Sequence, residues 1–554
     1  MAETKIKSYK EFLEILKFEK SEISSIYFYA ILYGLVQLSL PLGIQSIISF
    51  VMGGAISTSL VLLIIVVIIG VFVTGLLQVN QMKIIEKIQQ QLFVRYSFQY
   101  ANTIPKLNLK EVDGYYLPEL VNRFFDTISL QKGISKLLLE IPAATIQIFF
   151  GLVLLSFYHP VFIFFGIMLI SVLYIILRIT SRRGLQTSLE ESNFKYMVAG
   201  YLQDLARVVT TFKFSKDNSL YIKKTDEYVN GYLTARTSHF KILLFQYWTL
   251  IAFKVLITTA MLVVGAILLV NQQLNIGQFI AAEIVILMVI GSVEKLILNL
   301  DKIYDVLTSI EKITKVTGKP TEDNGNIVLP DNEKNVSVTA RNLSFGYEAG
   351  NLALKDLSFH IPAGKKVCVK GVYCAGKSTL LRLLSGAYQS FEGSLYINNI
   401  PISNYDLDSL RANTGILLSI QDIFQGTIKE NVTLGDGNIS YGQMDELAKI
   451  VGLKQFIDSK REGYDMFIQP TGQHLSGRII KKILLMRALM HQPHFLLLEE
   501  PWLGLEEQYV QQIKDYLFKY SATTIVVTND EDFAAKCDIV LELENGSLIS
   551  TKEK

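Results

Sequence analysis

Residues 23–82 contain no Asp, Glu, Lys or Arg. About 20 apolar residues cross the hydrocarbon core of a bilayer, so this run holds two membrane spans and rules out a water-soluble fold for the start of the chain. We place the spans at 24–50 and 58–80, turning at Gly53-Gly54, with Pro41 kinking the first. A second uncharged run, 141–177, splits at His159-Pro160 into spans at 137–157 and 160–180. Two more follow at 246–270 and 276–298, joined by 271–275. Composition agrees: half of the 554 residues are hydrophobic and 19% charged.

The connections set the orientation. Segments 51–57, 158–160 and 271–275 carry no Lys or Arg, whereas 81–136 carries eight and 181–245 carries ten. Positive charge stays inside, which puts both long segments and both termini in the cytoplasm. The long segments read as helical continuations of the spans, reaching about 40 Å or more past the membrane. Their turns, near 115–127 and 206–219, are expected to touch a cytoplasmic domain. Residues 1–22 mix lysine and glutamate with Tyr9, Phe12, Leu13, Ile15, Leu16 and Phe18, the pattern of an amphipathic helix at a membrane surface. The first residues are polar and acidic, and no cleavable signal is evident.

Two ionisable residues interrupt the last pair of spans. Lys254 lies near the cytoplasmic end of span five and is expected to snorkel. Glu283 lies near mid-bilayer, where a carboxylate lines a pathway or makes an interhelical hydrogen bond. The transmembrane domain runs over 23–316. A polar stretch rich in turn formers, 317–334, reads as a linker, and 335–554 alternates strand and helix. The net charge of +2 argues against a nucleic-acid surface. Cys368, Cys374 and Cys537 have no metal-ligand spacing and read as reduced cytosolic thiols.

Within the second domain, Gly371-Val372-Tyr373-Cys374-Ala375-Gly376-Lys377-Ser378-Thr379 fits the phosphate-binding loop. A short apolar strand precedes it and a helix follows, so backbone N–H groups and a helix N-terminus would face a triphosphate. Lys377 would neutralise the β- and γ-phosphates of ATP, and Ser378 would place an oxygen on Mg²⁺.

With the motifs downstream, this domain resembles an ATP-binding cassette. With six spans ahead of it, the chain looks like a type IV exporter half-transporter: an all-α six-helix membrane domain followed by an α/β P-loop domain. The stretch Ile276-Gly277-Gln278-Phe279-Ile280-Ala281-Ala282 is similar to bacterial type I secretion transporters, here without their N-terminal peptidase-like domain. The resemblance implies roles by position. Tyr347 matches the aromatic that stacks on adenine, and Cys374 stands where the family usually has glycine. Ser419 stands where the family has a glutamine that senses Mg²⁺ and water; Gln421 serves only if the loop shifts by two. Leu475-Ser476-Gly477-Arg478-Ile479 replaces Leu-Ser-Gly-Gly-Gln, whose helix N-terminus grips the γ-phosphate held by the opposite subunit. Glu499 replaces the aspartate that holds Mg²⁺ through water, Glu500 matches the general base, and Asn529 stands where the switch histidine belongs.

The reading that follows is an ATP-driven exporter subunit in the cytoplasmic membrane of a bacterium, working with a second half-transporter chain. It hydrolyses ATP slowly, and its cargo is a peptide or protein, a lipid or a drug. The alternative is a hydrolysis-poor regulatory or scaffold subunit of a heteromeric transporter.

Overall fold

The computed structural model describes residues 12–554 except 16, 18, 54–57, 217–218, 331–334, 349 and 473. Most of the amphipathic segment expected over 1–22 lies outside these residues, as does Gly54 of the first turn. Two compact units form: 1–105 with 114–319, and 106–113 with 320–554.

The first unit is helical. Its main helices are α1 (Lys20–Gln37), α2 (Ser39–Met52), α3 (Thr58–Thr103), α4 (Asp126–Tyr158), α5 (Val161–Arg207), α6 (Ser219–Val270), α7 (Ile276–Leu298) and α8 (Leu300–Thr317). Among the described residues, six stretches are long and apolar enough to cross a membrane. Large apolar side chains such as Phe72, Phe157 and Phe164 point outward at 70–81% exposure, as lipid requires and water forbids. The chain is an integral membrane protein.

Proline explains the break between α1 and α2. Pro41 has no N–H to offer the carbonyl of Gln37 four residues earlier, and α1 ends at Gln37. The helices α3, α5 and α6 are unbroken over 46, 47 and 52 residues. At about 1.5 Å per residue each is more than twice the thickness of a bilayer core. Helix α4 packs closely on α7 because Gly151 leaves room: a Cβ there would lie 2.5 Å from Val289.

The second unit is an α/β domain. A four-stranded antiparallel sheet is built from β1 (Val338–Phe345), β2 (Leu354–Ile361), β4 (Glu392–Ile397) and β5 (Ile400–Pro401). The six-stranded sheet comprises β3 (Lys366–Gly371), β6 (Thr414–Leu417), β7 (Phe495–Glu499), β8 (Thr523–Val527), β9 (Ile539–Glu544) and β10 (Ser547–Glu553). Its order is β10-β9-β3-β8-β7-β6, parallel except for the β10 edge. The centres of strands β3, β7 and β8 (Val367-Cys368-Val369, Phe495–Leu498 and Ile525–Val527) are apolar on both faces because both faces are covered. Phe495, Leu497, Ile525 and Val527 enter one core, while Leu496, Leu498, Val526 and Cys368 enter the other.

Two boundaries differ from expectation. The stretch read as a linker is bound into the second unit: Leu329 is buried, and Arg411 meets Glu322 through two hydrogen bonds of 2.7 Å. The segment that folds with this unit is 106–113, just ahead of the expected 115–127. Its backbone bonds the chain at 320–322 (Asn108 N to Pro320 O, 3.1 Å; Glu322 N to Lys106 O, 2.8 Å), and Tyr388 donates to both Asp113 carboxylate oxygens at 3.0 and 2.8 Å.

Candidate ATP site

In an open parallel sheet, ligands bind at the carboxyl ends of the strands. Here β3, β8, β7 and β6 are neighbours, so the residues that follow each of them meet although they lie up to 158 positions apart. The phosphate loop follows β3, Asn529 follows β8, Glu500 follows β7 and Ser419 follows β6.

Loop conformation comes from three residues with positive φ: Gly371 (153°), Cys374 (61°) and Gly376 (93°). At Gly371 a Cβ would stand 2.3 Å from the Leu543 carbonyl oxygen, so glycine is required. Cys374 carries a side chain in a left-handed conformation, which favours glycine, and its thiol side is exposed. Helix α9 (Lys377–Leu384) begins directly after the loop. Lys377 Nζ donates to the carbonyls of Gly371 and Val372 at 2.6 and 2.8 Å, which folds the ammonium over the loop. A polyphosphate in that cradle would take these contacts in place of the carbonyls.

Ser378 Oγ donates to Glu499 Oε1 at 2.5 Å, and Glu499 Oε2 accepts from the Ser419 backbone N–H at 2.8 Å. A hydroxyl and a carboxylate in contact are the hard oxygen donors that Mg²⁺ takes. The longer side chain of Glu499, compared with aspartate, still reaches Ser378. The residues fit the ion.

Ser419 therefore stands beside the carboxylate by its backbone. Gln421 is turned back, its Oε1 accepting from Leu418 N at 3.0 Å. Glu500 has φ 44°, a left-handed residue at the end of β7. Its Oε2 accepts from Thr528 Oγ1 at 3.1 Å. Burial pushes the Glu500 carboxyl up, while the Thr528 bond and the charges of Lys481 and Lys377 pull it back. Asn529 Oδ1 accepts from Gly371 N at 3.3 Å, holding the switch position against the loop.

Tyr347 is partly exposed, and its hydroxyl lies 3.0 Å from both Thr379 Oγ1 and Arg382 Nη1. Its ring meets Tyr388 edge-on at 5.5 Å. The signature residues are set apart. Ser476 caps α10 (Gly477–Met490) by accepting from Ile479 N at 3.4 Å, and Arg478 is exposed. They border an open cavity of about 630 Å³ with Leu503, Gly504 and Glu506. Among the described residues, no hydrogen bond or ion pair joins Ser476, Gly477 or Arg478 to the phosphate loop.

Sequence reasoning missed two residues. Lys481, on α10, acts electrostatically on Glu500 and Glu499, and burial lowers its own ammonium. The signal available was the Lys481-Lys482 pair, separated from the signature by one residue. Glu294 was also missed: Lys254 is not left to snorkel but pairs with Glu294 at 2.5 Å.

Residues 354–503 match the family model described as ABC transporter. The chain is 29% identical to the exotoxin translocation ATP-binding protein PaxB of Pasteurella aerogenes, over 51% of this chain and 40% of that one. It is 31% identical to the glutathione/L-cysteine transport system ATP-binding/permease protein CydC of Haemophilus influenzae, over 45% and 44%. The heterocyst differentiation ATP-binding protein HepA of Nostoc is 28% identical, over 44% and 40%. The chain spans less than half the length of these relatives. A solved bacterial Atm1-family ABC exporter with ATP bound matches with a TM-score of 0.87 at 20% identity, over 97% of this chain and 95% of that one. That likeness is one of fold.

Proposed function

We propose, from the premise that this chain carries an ABC transporter ATP-binding domain and has the fold of an ABC exporter, that it is one half of a dimeric, ATP-driven membrane exporter. The observation that carries the reading is the joining of Lys377, Ser378, Glu499, Glu500 and Asn529 at adjacent strand ends, in a chain with six membrane-length helices. Lys377 leaves the loop carbonyls to hold the β- and γ-phosphates, and loop N–H groups take the remaining oxygens. Ser378 and Glu499 hold Mg²⁺, which supplies charge neutralisation between the phosphates when bound. Glu500 accepts the proton of the attacking water, with Thr528 fixing its carboxylate. Tyr347 stacks on adenine, and Ser476, Gly477 and Arg478 face the γ-phosphate bound by a second chain.

The bias of Lys and Arg toward 81–136 and 181–245 supports a reading with these segments, both termini and the ATP-binding domain on the cytoplasmic side of a bacterial inner membrane. The names of PaxB and CydC refer to an exotoxin and to glutathione or cysteine, and a peptide or protein cargo is favoured over a lipid or drug. The test is ATP-dependent cargo movement in sealed vesicles, with native mass measurement of the extracted protein. Two ABC chains per particle are expected; a monomer with full ATPase activity would sink the reading.

A second reading, a regulatory subunit with weak hydrolysis, draws on Cys374 at φ 61° and on Asn529. An amide cannot become cationic as the family's histidine can. Asn529→His discriminates: a rise in turnover of up to about 100-fold is expected, the lower end of what one transition-state contact contributes. No rise would favour the regulatory reading.

A further inference from the structure

Several polar side chains in and beside the six spans find partners inside the chain. Gln147 bonds Gln37 and accepts from Ser292 Oγ at 2.7 Å. Tyr158 donates to Gln45 at 2.5 Å, and Gln81 donates to the Ile26 carbonyl at 3.1 Å. Glu283, on α7, differs. Its Oε2 is buried without a hydrogen bond, the one such side-chain oxygen among the described residues of the spans at 24–50, 58–80, 137–157, 160–180, 246–270 and 276–298.

Charge is uncompensated there as well. Among the described residues no Lys, Arg or His pairs with the Glu283 carboxylate. Lys254 on α6, the neighbour of α7 through Gly265 and Phe279, is already taken by Glu294. Glu294 lies eleven residues beyond Glu283, about three turns along the same face of α7. That face also carries Ile276 and Leu287, seven residues before and four after Glu283, at 44% and 54% exposure. Ile286 and Ile290, three and seven residues beyond Glu283, are buried at 4% and 6%, so the carboxylate sits at the edge between a packed stripe of α7 and this open one.

An intramembrane carboxylate persists where a partner or water meets it. With no cation supplied by the described residues, we propose that Glu283 is the counter-ion for an ammonium or guanidinium group carried by an amphipathic cargo. The inference rests on the export reading for its purpose, but it is tested by binding alone.

The experiment uses the full chain in nanodiscs and three fluorescent aryl-alkyl amines of different size, dansylcadaverine among them, each paired with its uncharged N-acetyl derivative. Wild type should bind at least one amine about tenfold tighter than its acetylated partner, equivalent to about 1.4 kcal/mol. Glu283→Gln should erase the preference while leaving ATP binding intact, and Glu283→Asp should retain part of it. Equal binding of amine and amide in all three pairs would overturn the proposal, as that is what a carboxyl holding only a proton predicts. So would a preference that survives Glu283→Gln. Amine uptake into inside-out vesicles then separates the two readings. Selective binding without ATP-driven uptake overturns export and keeps the site; uptake indifferent to Glu283→Gln keeps export and overturns the site.

Discussion

The two halves of the ATP machinery are built in opposite ways. On the phosphate-loop side, each candidate residue is bonded to another: Lys377 to Gly371 and Val372, Ser378 to Glu499, Glu500 to Thr528, Asn529 to Gly371. On the signature side, Ser476 serves only its own helix and Arg478 stands exposed beside an open cavity. The difference is one of preorganisation. The phosphate side holds its geometry before a nucleotide arrives, whereas the signature side is a surface awaiting a partner. A second ABC chain is the partner that the proposed function supplies.

The sharpest way to break this comparison is at Glu500. Removing a general base typically lowers the rate by about 100- to 10,000-fold. Glu500→Gln should do so with ATP affinity preserved, since Lys377 and the loop are untouched. Turnover assays beside equilibrium nucleotide binding check this. Unchanged turnover would mean that Glu500 is not the base and would remove the reason for calling this side complete.

Much of this was legible in the chain itself, for a physical reason. A span needs only local apolarity, and a phosphate loop needs only nine consecutive residues, so both are written in short stretches. Cys374 was readable as a residue standing where the resemblance expects glycine, and the structure gives it φ 61°. Contacts across long separations were not. Tyr388 and Asp113 lie 275 positions apart, with no periodicity to connect them. The stretch 317–334 has the composition of a linker, yet Leu329 and Glu322 are fixed by partners far along the chain. Glu283 was legible as a problem but not as a solution, because its lack of an internal partner is a fact of packing.

The signature side is probed at Arg478. An exposed cation at the start of a fourteen-residue helix adds its charge to the helix dipole, so Arg478→Gly should lower turnover several-fold at saturating ATP. The alternative, that the arginine obstructs approach of the second chain, predicts a rise. Steady-state kinetics decide the sign, and a rise would reverse the view of this surface as ready to receive a phosphate.

A pH profile sharpens the phosphate side. Burial holds the Glu500 carboxyl above its ordinary value of 4.5. The base must be ionised, so turnover should be lost on acidification at a higher pH than for an exposed glutamate. Thr528 opposes the shift by hydrogen-bonding the carboxylate. Thr528→Val should therefore move the acid limb further up, with little change at alkaline pH. A limb that stays in place would show that Thr528 does not set the ionisation of Glu500.

The smallest effect expected lies where the phosphate side meets the segment 106–113. Tyr388 places its ring edge-on to Tyr347 and its hydroxyl on Asp113, so one side chain touches both Tyr347 and that segment. Tyr388→Phe keeps the ring contact and deletes the hydrogen bond, a loss of about 0.5–1.5 kcal/mol. The loss should be local. Hydrogen exchange should quicken at 106–113 and at 320–322, whose backbones bond each other, while the α10 amides and the ATP affinity stay as they were. Among the described residues nothing on the signature side makes an equivalent tie, so the effect should also be one-sided. If exchange at α10 quickens equally, the two halves are coupled within one chain, and the contrast between a bound side and a waiting side is lost.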